Sequence, residues 1–328
     1  MHKRRLSEWT LTMVIKADGP LLIKAGGDAG ADPTLPDMYF VRTRHPVSGE
    51  QTIYLPGSSL KGAIRSHVER IIRTVHGGHD WICCDPLHRR ESCGRKIDTR
   101  KVSDTAAQYQ ALCLACRIFG QTTQASHFYI SDAYPAEAIN QLSVRHQVAI
   151  DRLSGGVAVG PFELEAALSE EFEVTLTLLN AELWQIGLLA LALRDMAEGR
   201  LLLGYGKSRG LGQVKLTLGR LAVAYPGRFQ ADNLTNRLSG VGALAADMVA
   251  DYGFVANDMV NLSAEGQLID GSAAWGRPEI RFGHAGDEPL LAVPEAERAT
   301  AHRAIMAILG QVVPTWAAYV PQKGAARE

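Results

Sequence analysis

LPGSSLKGAIR, residues 55–65, is the stretch that decides how the first half of the chain folds. A Pro-Gly turn ends a strand there, and the apolar residues that follow recur at helical spacing. We expect Ser58 and Ser59 to cap this helix with their hydroxyl oxygens. Lys61 and Arg65 are four residues apart and therefore share a face beside the positive end of the helix dipole. Such a helix start suits a phosphate group, although an ordinary amphipathic helix with solvated cations shows the same pattern.

Six segments of the chain, once its irregular stretches are set aside, alternate between strand and helix patterns. In order they are the strand 7–16, the helix just described, the strands 127–134 and 172–179, the helix 183–198 and the strand 211–216. This order is that of the ferredoxin-like split βαβ arrangement. We therefore predict an α+β fold. Residues 221–328 show no comparable pattern.

The composition is that of a globular protein without an export or membrane signal. The chain of 328 residues is long enough for two domains, or for one domain with a long appendage. Residues 221–328 hold 8 Lys+Arg against 12 Asp+Glu, whereas the whole chain has a net charge of −1, so the first part is basic. That asymmetry is compatible with a polyanion partner. The longest apolar run, 186–193, is too short to span a bilayer, and we expect a cytoplasmic protein without a membrane partner.

All five cysteines of the chain lie within 34 residues. Cys113-Leu-Ala-Cys116 is a CxxC, the spacing that lets one turn present two thiolates to one metal ion. We predict a closed, structural Zn²⁺ site with four thiolates, formed by Cys84, Cys93, Cys113 and Cys116. On spacing alone, Cys83 or His88 can take the place of Cys84. The alternatives to a metal site are a redox CxxC and buried small residues.

Residues 204–212, GYGKSRGLG, form a glycine-rich loop with two cations. Glycines let a backbone approach an anion closely, and Lys207 and Arg209 add positive charge. The loop is not a Walker A motif, and a strand rather than a helix follows it. Taken alone, a glycine-rich β-turn explains the pattern equally well.

A second glycine-rich loop follows the first strand and carries Asp28, Asp32 and Asp37. Carboxylates in such a loop can place a metal ion or orient an attacking hydroxyl group. They also form turns through their own side chains.

Three motifs taken together resemble the RAMP superfamily of CRISPR-associated proteins. They are LPGSSLKGAIR at 55–65, IDRLSGGVAVG at 150–160 and LGYGKSRGLGQVKL at 203–216, in this order and at these distances. More closely, they resemble the backbone subunits of type III (Csm/Cmr-type) effector complexes. The resemblance covers about residues 7–217. The cysteine cluster that ends in CLACRIFG resembles a zinc-binding insertion found in many of these subunits.

The resemblance implies a modified ferredoxin-like (RRM-like) RAMP fold over residues 1–220. Within it, residues 79–126 would be the zinc-binding insertion and residues 140–170 a thumb β-hairpin, and residues 221–328 would be a C-terminal extension of unknown role. The implied partners are a guide RNA (crRNA), complementary target RNA, other RAMP subunits and the large subunit of a type III CRISPR complex. The implied role is antiviral defence.

The resemblance also implies a role for individual residues. Guide RNA contacts would come from Ser58, Ser59, Lys61, Arg65, Arg152, Gly204, Gly206, Lys207, Arg209 and Gly210. Asp37 fits the position of a family aspartate that supports Mg²⁺-dependent cleavage of target RNA, whereas Asp28 and Asp32 lie too far upstream.

Two alternatives remain within this resemblance. The first is the same scaffold without catalysis, a structural subunit that only binds guide RNA and its neighbours, for example at one end of the complex. The second is a stand-alone RAMP endonuclease that processes precursor guide RNA. Such enzymes commonly rely on a histidine, for which His67 and His76 are the candidates here.

Overall fold

The structure, a computed structural model, describes residues 3–26, 36–88, 92–97, 104–227, 234–269 and 277–321. Its β-strands are β1 Glu8–Ala17, β2 Arg42–Arg44, β3 Gln51–Ile53, β4 Phe128–Ile130, β5 Ser143–Ile150, β6 Val157–Ala166, β7 Glu171–Leu179, β8 Val214–Ala224, β9 Arg237–Ser239, β10 Met259–Asn261, β11 Gln267–Ile269 and β12 Glu279–Gly283. Its α-helices are α1 Gly57–His76, α2 Cys93–Lys96, α3 Thr105–Gln110, α4 Leu114–Phe119, α5 Leu183–Ala197, α6 Val241–Leu244, α7 Val249–Tyr252 and α8 Glu295–Ala317.

The main sheet has six antiparallel strands in the order β11-β12-β8-β1-β7-β4. β1 is central and pairs with β7 on one side and β8 on the other, which explains why most of its side chains are buried. β7 alternates between buried and half-buried residues, the pattern of a strand with one face on the core. With α1 following β1 and α5 following β7, the α+β class and the ferredoxin-like core predicted from the sequence are confirmed.

Helix α5 is apolar almost all round, and its side chains are buried on nearly every face. A helix that is apolar all round must pack against other elements on both sides to keep its side chains out of water. The sheet supplies one cover, and α8, from the C-terminal part of the chain, packs on α5 and β8 and supplies the other.

Residues beyond 220 also extend the sheet. The second half of β8 pairs with β1 on one side as far as Ala224 and with β12 on the other, and β11 pairs with β12 in turn. The boundary expected at residue 220 therefore falls inside a strand. The first part of the C-terminal extension joins the edge of the same sheet that forms the core.

The strand expected at 127–134 is shorter, spanning Phe128–Ile130. After it the chain turns toward the start of α1, where Ala133 and Leu55 form an isolated bridge. The β5–β6 hairpin lies where a thumb was expected and is exposed along most of its length. Its two strands pair with each other, and a single bridge joins Leu164 of β6 to Met38.

Gly57 allows the start of α1 to pack directly on the end of β4. A Cβ atom at this position would lie 2.6 Å from the carbonyl oxygen of Ile130 and 2.9 Å from that of Ser131. Because both neighbours are backbone atoms, neither can move aside without shifting the strand. Gly62, one turn further along the same helix, is exposed and has no atom within 4 Å of such a Cβ.

We expect Gly57→Ala and Gly62→Ala to change stability in opposite directions. Gly57→Ala should lower the free energy of unfolding by about 1–3 kcal/mol because of overpacking. Gly62→Ala should raise it by about 0.5–1 kcal/mol because alanine is the better helix former. Urea unfolding of both variants measures the difference. A Gly57→Ala protein as stable as the Gly62→Ala protein would contradict the close approach of α1 to β4.

Candidate metal centre and RNA-binding surface

Four cysteines of the insertion form a buried cluster. The Sγ atoms of Cys84, Cys93, Cys113 and Cys116 all lie within 4.8 Å of one another, and each residue is at most 2% exposed. The sulfur of Cys84 is 3.7 Å from that of Cys116 and 3.6 Å from that of Cys113. A tetrahedral ion with Zn–S bonds of about 2.3 Å places its sulfurs about 3.8 Å apart. The cluster can therefore hold a metal ion such as zinc.

Local structure brings these four sulfurs together from three short segments. Cys84 follows α1 in the chain, and Cys93 is the first residue of α2. Cys113 is the N-cap residue of α4, and Cys116 lies in the first turn of that helix, so the CxxC spacing points both thiols the same way.

Cys83 lies outside the cluster. Its thiol is directed at the carbonyl oxygen of Glu69, 3.8 Å away, whereas Cys84, the residue preferred from the sequence, contributes to the cluster. His88 is exposed and is also outside the cluster. A redox CxxC needs a thiol that solvent can reach, and the buried sulfurs of Cys113 and Cys116 do not meet that condition.

The four thiols compete for ionisation. Their shared hydrogen bond lowers the pKa of Cys113 and raises the pKa of Cys116. The hydrogen bond to Cys113 likewise raises the pKa of Cys93. Although the hydrogen bond to Cys113 opposes this, the bonds to Cys116 and Cys93 lower the pKa of Cys84. Two thiolates are thus favoured at the expense of the other two, and a divalent cation is the partner that lets all four ionise together.

Arg65 joins helix α1 to this cluster. Its guanidinium donates to Cys116 Sγ at 3.5 Å, to the carbonyl oxygen of Gly120 at 3.2 Å and to the Glu69 carboxylate at 2.9 Å. Burial opposes its charge, but the neighbouring Cys116 and Glu69 more than offset this and raise the pKa of Arg65. In this conformation the side chain predicted to contact RNA is engaged with the insertion.

Lys61 makes the same kind of connection one turn earlier. Its ammonium donates to Ser126 Oγ at 2.9 Å and to the carbonyl oxygen of Phe128 at 3.2 Å. Burial, followed by the charge of Arg65, lowers the pKa of Lys61. Lys61 and Arg65 are thus tied to protein partners, which restricts how far either side chain can reach toward a phosphate.

The helix cap predicted from the two serines is wrong. α1 begins at Gly57, with Pro56 as its N-cap residue, and no side chain of the N-cap position accepts a hydrogen bond. Instead, the N–H of Gly57 donates to Asp132 Oδ1 at 2.7 Å. Because the helix starts before the serines, their hydroxyl groups lie on its first turn, where both residues are exposed.

The glycine-rich loop presents two exposed cations. Lys207–Arg209 form one turn of 3-10 helix between Gly206 and Gly210, which both have left-handed backbone conformations. Gly204 also has a positive φ, and a Cβ there would overlap the carbonyl oxygen of Leu22. The glycines therefore shape the loop and pack it against the chain after β1, and the charges between them point outward.

Two further residues complete this surface, which we call the basic loop surface (Lys24, Tyr205, Lys207 and Arg209). The Arg209 guanidinium lies 4.9 Å from the centre of the Tyr205 ring, and Lys24 Nζ lies 5.9 Å from the same centre. The position of Tyr205 between two glycines was a signal that sequence reasoning missed. Lys24 carried no such signal, because only the folded chain brings it beside the loop.

Asp37 lies at the base of the β5–β6 hairpin. It is exposed, and its Oδ2 atom accepts a hydrogen bond of 2.9 Å from the backbone N–H of Glu163. The next residue, Met38, is bound to the same strand through its N–H, which donates to the Glu163 carbonyl oxygen at 3.0 Å. Asp28 and Asp32 lie outside the described residues.

The far end of the hairpin is apolar and exposed. Five aliphatic side chains there are between 47% and 99% exposed: Val148, Ile150, Leu153, Val157 and Val159. Arg152 is exposed in the connecting turn, which Asp151 Oδ1 stabilises by accepting hydrogen bonds from the N–H groups of Leu153 and Ser154.

The histidines considered for a stand-alone endonuclease are engaged within the fold. His67 Nε2 lies 2.7 Å from Asp195 Oδ2, and Arg70 approaches its Nδ1 atom at 3.1 Å. The ring of His76 packs edge-on against Trp316, with 4.9 Å between ring centres.

Comparison with known proteins identifies the family. The family model of the RAMP superfamily matches residues 14–215, and no curated protein sequence matches the chain. Within the described ranges, no helix combines the length and apolar character needed to cross a bilayer. Since the match spans more than half of the chain and includes α1, the cysteine cluster, the β5–β6 hairpin, β7 and the basic loop, the protein belongs to the RAMP superfamily of CRISPR-associated proteins.

Proposed function

We propose that this protein is a guide-RNA-binding backbone subunit of a type III CRISPR effector complex and that it cleaves complementary target RNA in antiviral defence. Family membership indicates a CRISPR-associated RNA-binding subunit. The observation that carries the finer proposal is the position of Asp37, exposed and hydrogen-bonded to the base of the protruding β5–β6 hairpin. The other partners in this proposal are neighbouring RAMP subunits and the large subunit of the complex.

The basic loop surface supports RNA binding. Lys207 and Arg209 are exposed, and glycines on both sides leave room for a phosphate backbone to approach. Tyr205, already beside Arg209, adds an aromatic ring on which a base or ribose can pack. Such contacts hold phosphates and ribose without reading base identity, and in this proposal sequence recognition comes from pairing between guide and target.

Helix α1 and the hairpin supply the remaining proposed contacts. Ser58 and Ser59 are exposed at the helix start and can donate to phosphate oxygens. Lys61 and Arg65 contribute after exchanging partners, or by holding the helix in place. Arg152 reaches the RNA from the hairpin turn, and the exposed aliphatic side chains of the hairpin separate the duplex of guide and target at intervals set by the stacked subunits.

Cleavage would depend on Asp37. A single carboxylate with Mg²⁺ can position the 2′-hydroxyl of a target ribose for in-line attack on the adjacent phosphodiester. The hairpin supports this geometry by displacing the scissile nucleotide from the helix.

The cysteine cluster fits Zn²⁺ in a structural role. Four buried thiols at tetrahedral spacing occupy every coordination position, which leaves none for a catalytic water. The ion would hold together the three short segments that carry the cysteines, and through Arg65 it would hold the insertion against α1.

We expect the purified protein to carry about one zinc ion per chain, as a four-thiolate site binds one ion. Cys113→Ser should lose the metal together with solubility. Cys83→Ser is the matched control, because Cys83 is equally buried but lies outside the cluster, and it should keep its metal. Elemental analysis of the three proteins tests this. A wild-type protein without zinc, or a Cys83→Ser protein that loses zinc, would show that the assignment is wrong.

We expect the double variant Lys207→Ala, Arg209→Ala to bind guide RNA about tenfold or more weakly, since it loses two phosphate contacts. The slope of log affinity against log salt should become shallower by about one to two. Filter binding at several salt concentrations measures both quantities. The double variant Arg200→Ala, Arg303→Ala removes two exposed cations elsewhere and should bind like the wild type. Equal losses of RNA affinity in the two double variants would indicate that binding depends on overall charge rather than on a specific binding site.

We expect Asp37→Ala to abolish Mg²⁺-dependent cutting of a complementary RNA by the assembled complex and to leave guide binding intact. Labelled target RNA, with and without EDTA, shows the products, which should be spaced at regular intervals. Asp247→Ala is the control, because Asp247 is an exposed carboxylate that forms an ion pair with Arg4. Wild-type cleavage by Asp37→Ala would refute the assignment, and a wild-type complex that binds target without cutting it would identify a structural, non-catalytic subunit.

A further inference from the structure

His146 and Glu163 face each other at the base of the β5–β6 hairpin, where Asp37 is bound. They are directly opposed in the register of the two strands, and His146 Nδ1 lies 3.4 Å from Glu163 Oε1. The N–H of the same Glu163 donates to Asp37. Glu163 thus contacts both groups: its backbone N–H donates to the Asp37 carboxylate, and its own carboxylate faces the imidazole of His146.

Glu163 is the carboxylate available to His146, because the other acidic group on this face already has a cationic partner. The next pair on this face of the hairpin, Val144 and Glu165, brings a second carboxylate. That carboxylate is already neutralised, because Arg42 donates to both of its oxygens at 2.7 and 2.8 Å. Asp37, from the loop before β2, is the remaining acidic group close to Glu163 among the described residues.

The pair is exposed, with 68% of the His146 side chain and 47% of the Glu163 side chain open to solvent. Exposed ion pairs add only about 0–1 kcal/mol to stability, so the fold does not depend on this one. The outer half of the hairpin carries aliphatic side chains, whereas these titratable groups lie at the point where Asp37 is attached. This placement favours a role in chemistry over a role in folding.

We propose that His146 is the general base of the cleavage reaction and that Glu163 positions its ring. The inference rests on the proposed cleavage of target RNA. With Nδ1 directed at Glu163, the Nε2 atom has no partner in the described part of the chain and can accept a proton. A carboxylate that orients the other ring nitrogen is the usual companion of an imidazole base.

The proposed step balances without a redox partner. His146 Nε2 takes the proton of the ribose 2′-hydroxyl, and the 2′-oxygen forms a bond to the adjacent phosphorus. The bond from phosphorus to the 5′-oxygen breaks, and that oxygen takes a proton from water. The products are a 2′,3′-cyclic phosphate and a 5′-hydroxyl, and His146 returns its proton to solvent.

Single-turnover cleavage between pH 5 and 8, with the complex saturated by guide and target, tests the proposal. Wild-type cleavage should rise with pH across this range, because only a deprotonated base can accept the 2′-hydroxyl proton. His146→Gln should slow cleavage by about 100-fold or more and remove the rising limb. Free imidazole should restore part of the rate to His146→Ala. Glu163→Gln keeps the backbone N–H bound to Asp37. It should slow the saturated cleavage rate while leaving guide and target binding unchanged, and Glu163→Asp should restore part of that rate.

His284→Gln is the control, since His284 lies 2.9 Å from Glu288 in a second His–Glu pair, away from the hairpin and less exposed. It should retain both rate and pH profile. Guide binding and thermal unfolding of each variant show that the complex is intact. If Asp37→Ala is inactive but His146→Gln cuts at the wild-type rate with the same profile, this inference is wrong and the proposed function stands. If the wild-type complex does not cut at all, both are wrong.

Discussion

Helix α1 is held by contacts at its start and along two of its sides. At its start, Gly57 packs on the backbone after β4 and donates to Asp132. Along one side, Lys61 and Arg65 donate to the insertion. Along another, His67 meets Asp195 of α5. The cations of this helix therefore serve the fold first, and the exposed charges suited to RNA come from the glycine-rich loop.

The burial of α5 makes the C-terminal region part of the same body. An all-round apolar helix on an open sheet would expose one face to water, and α8 covers that face. Two carboxyl groups meet the N-terminus of α5: Glu182 is its N-cap residue, and Asp258 accepts the N–H of Leu183 at 2.9 Å. Burial raises the pKa of Glu182 and raises that of Asp258 to about 7. The extension thus supplies a polar contact as well as apolar cover.

The four-cysteine cluster and the hairpin have separate proposed roles. The cluster gathers three short segments around one centre and, through Cys116 and Arg65, ties them to α1. An ion bound by all four thiols would have no open coordination position. The hairpin, by contrast, is exposed, carries apolar side chains at its end and binds Asp37 at its base. Chemistry on RNA is therefore proposed at the hairpin, and zinc is assigned to folding.

Much of the fold and of the candidate site could be predicted from residues close together in the chain. The periods of the apolar residues in β1, α1, β7 and α5 and the spacing of Cys113 and Cys116 are local properties, which is why the element order and a four-cysteine cluster were predictable. The serine cap failed because proline and glycine start α1 earlier and Asp132, 75 residues away, occupies its first N–H.

The sequence by itself determined the order of strands and helices in the ferredoxin-like core, because side-chain periodicity acts over a few residues. The tertiary structure alone decided the partners of Lys61 and Arg65, the cover of α5 and the meeting of His146, Glu163 and Asp37. Those contacts depend on strand register and on the paths of distant segments, which no local pattern encodes.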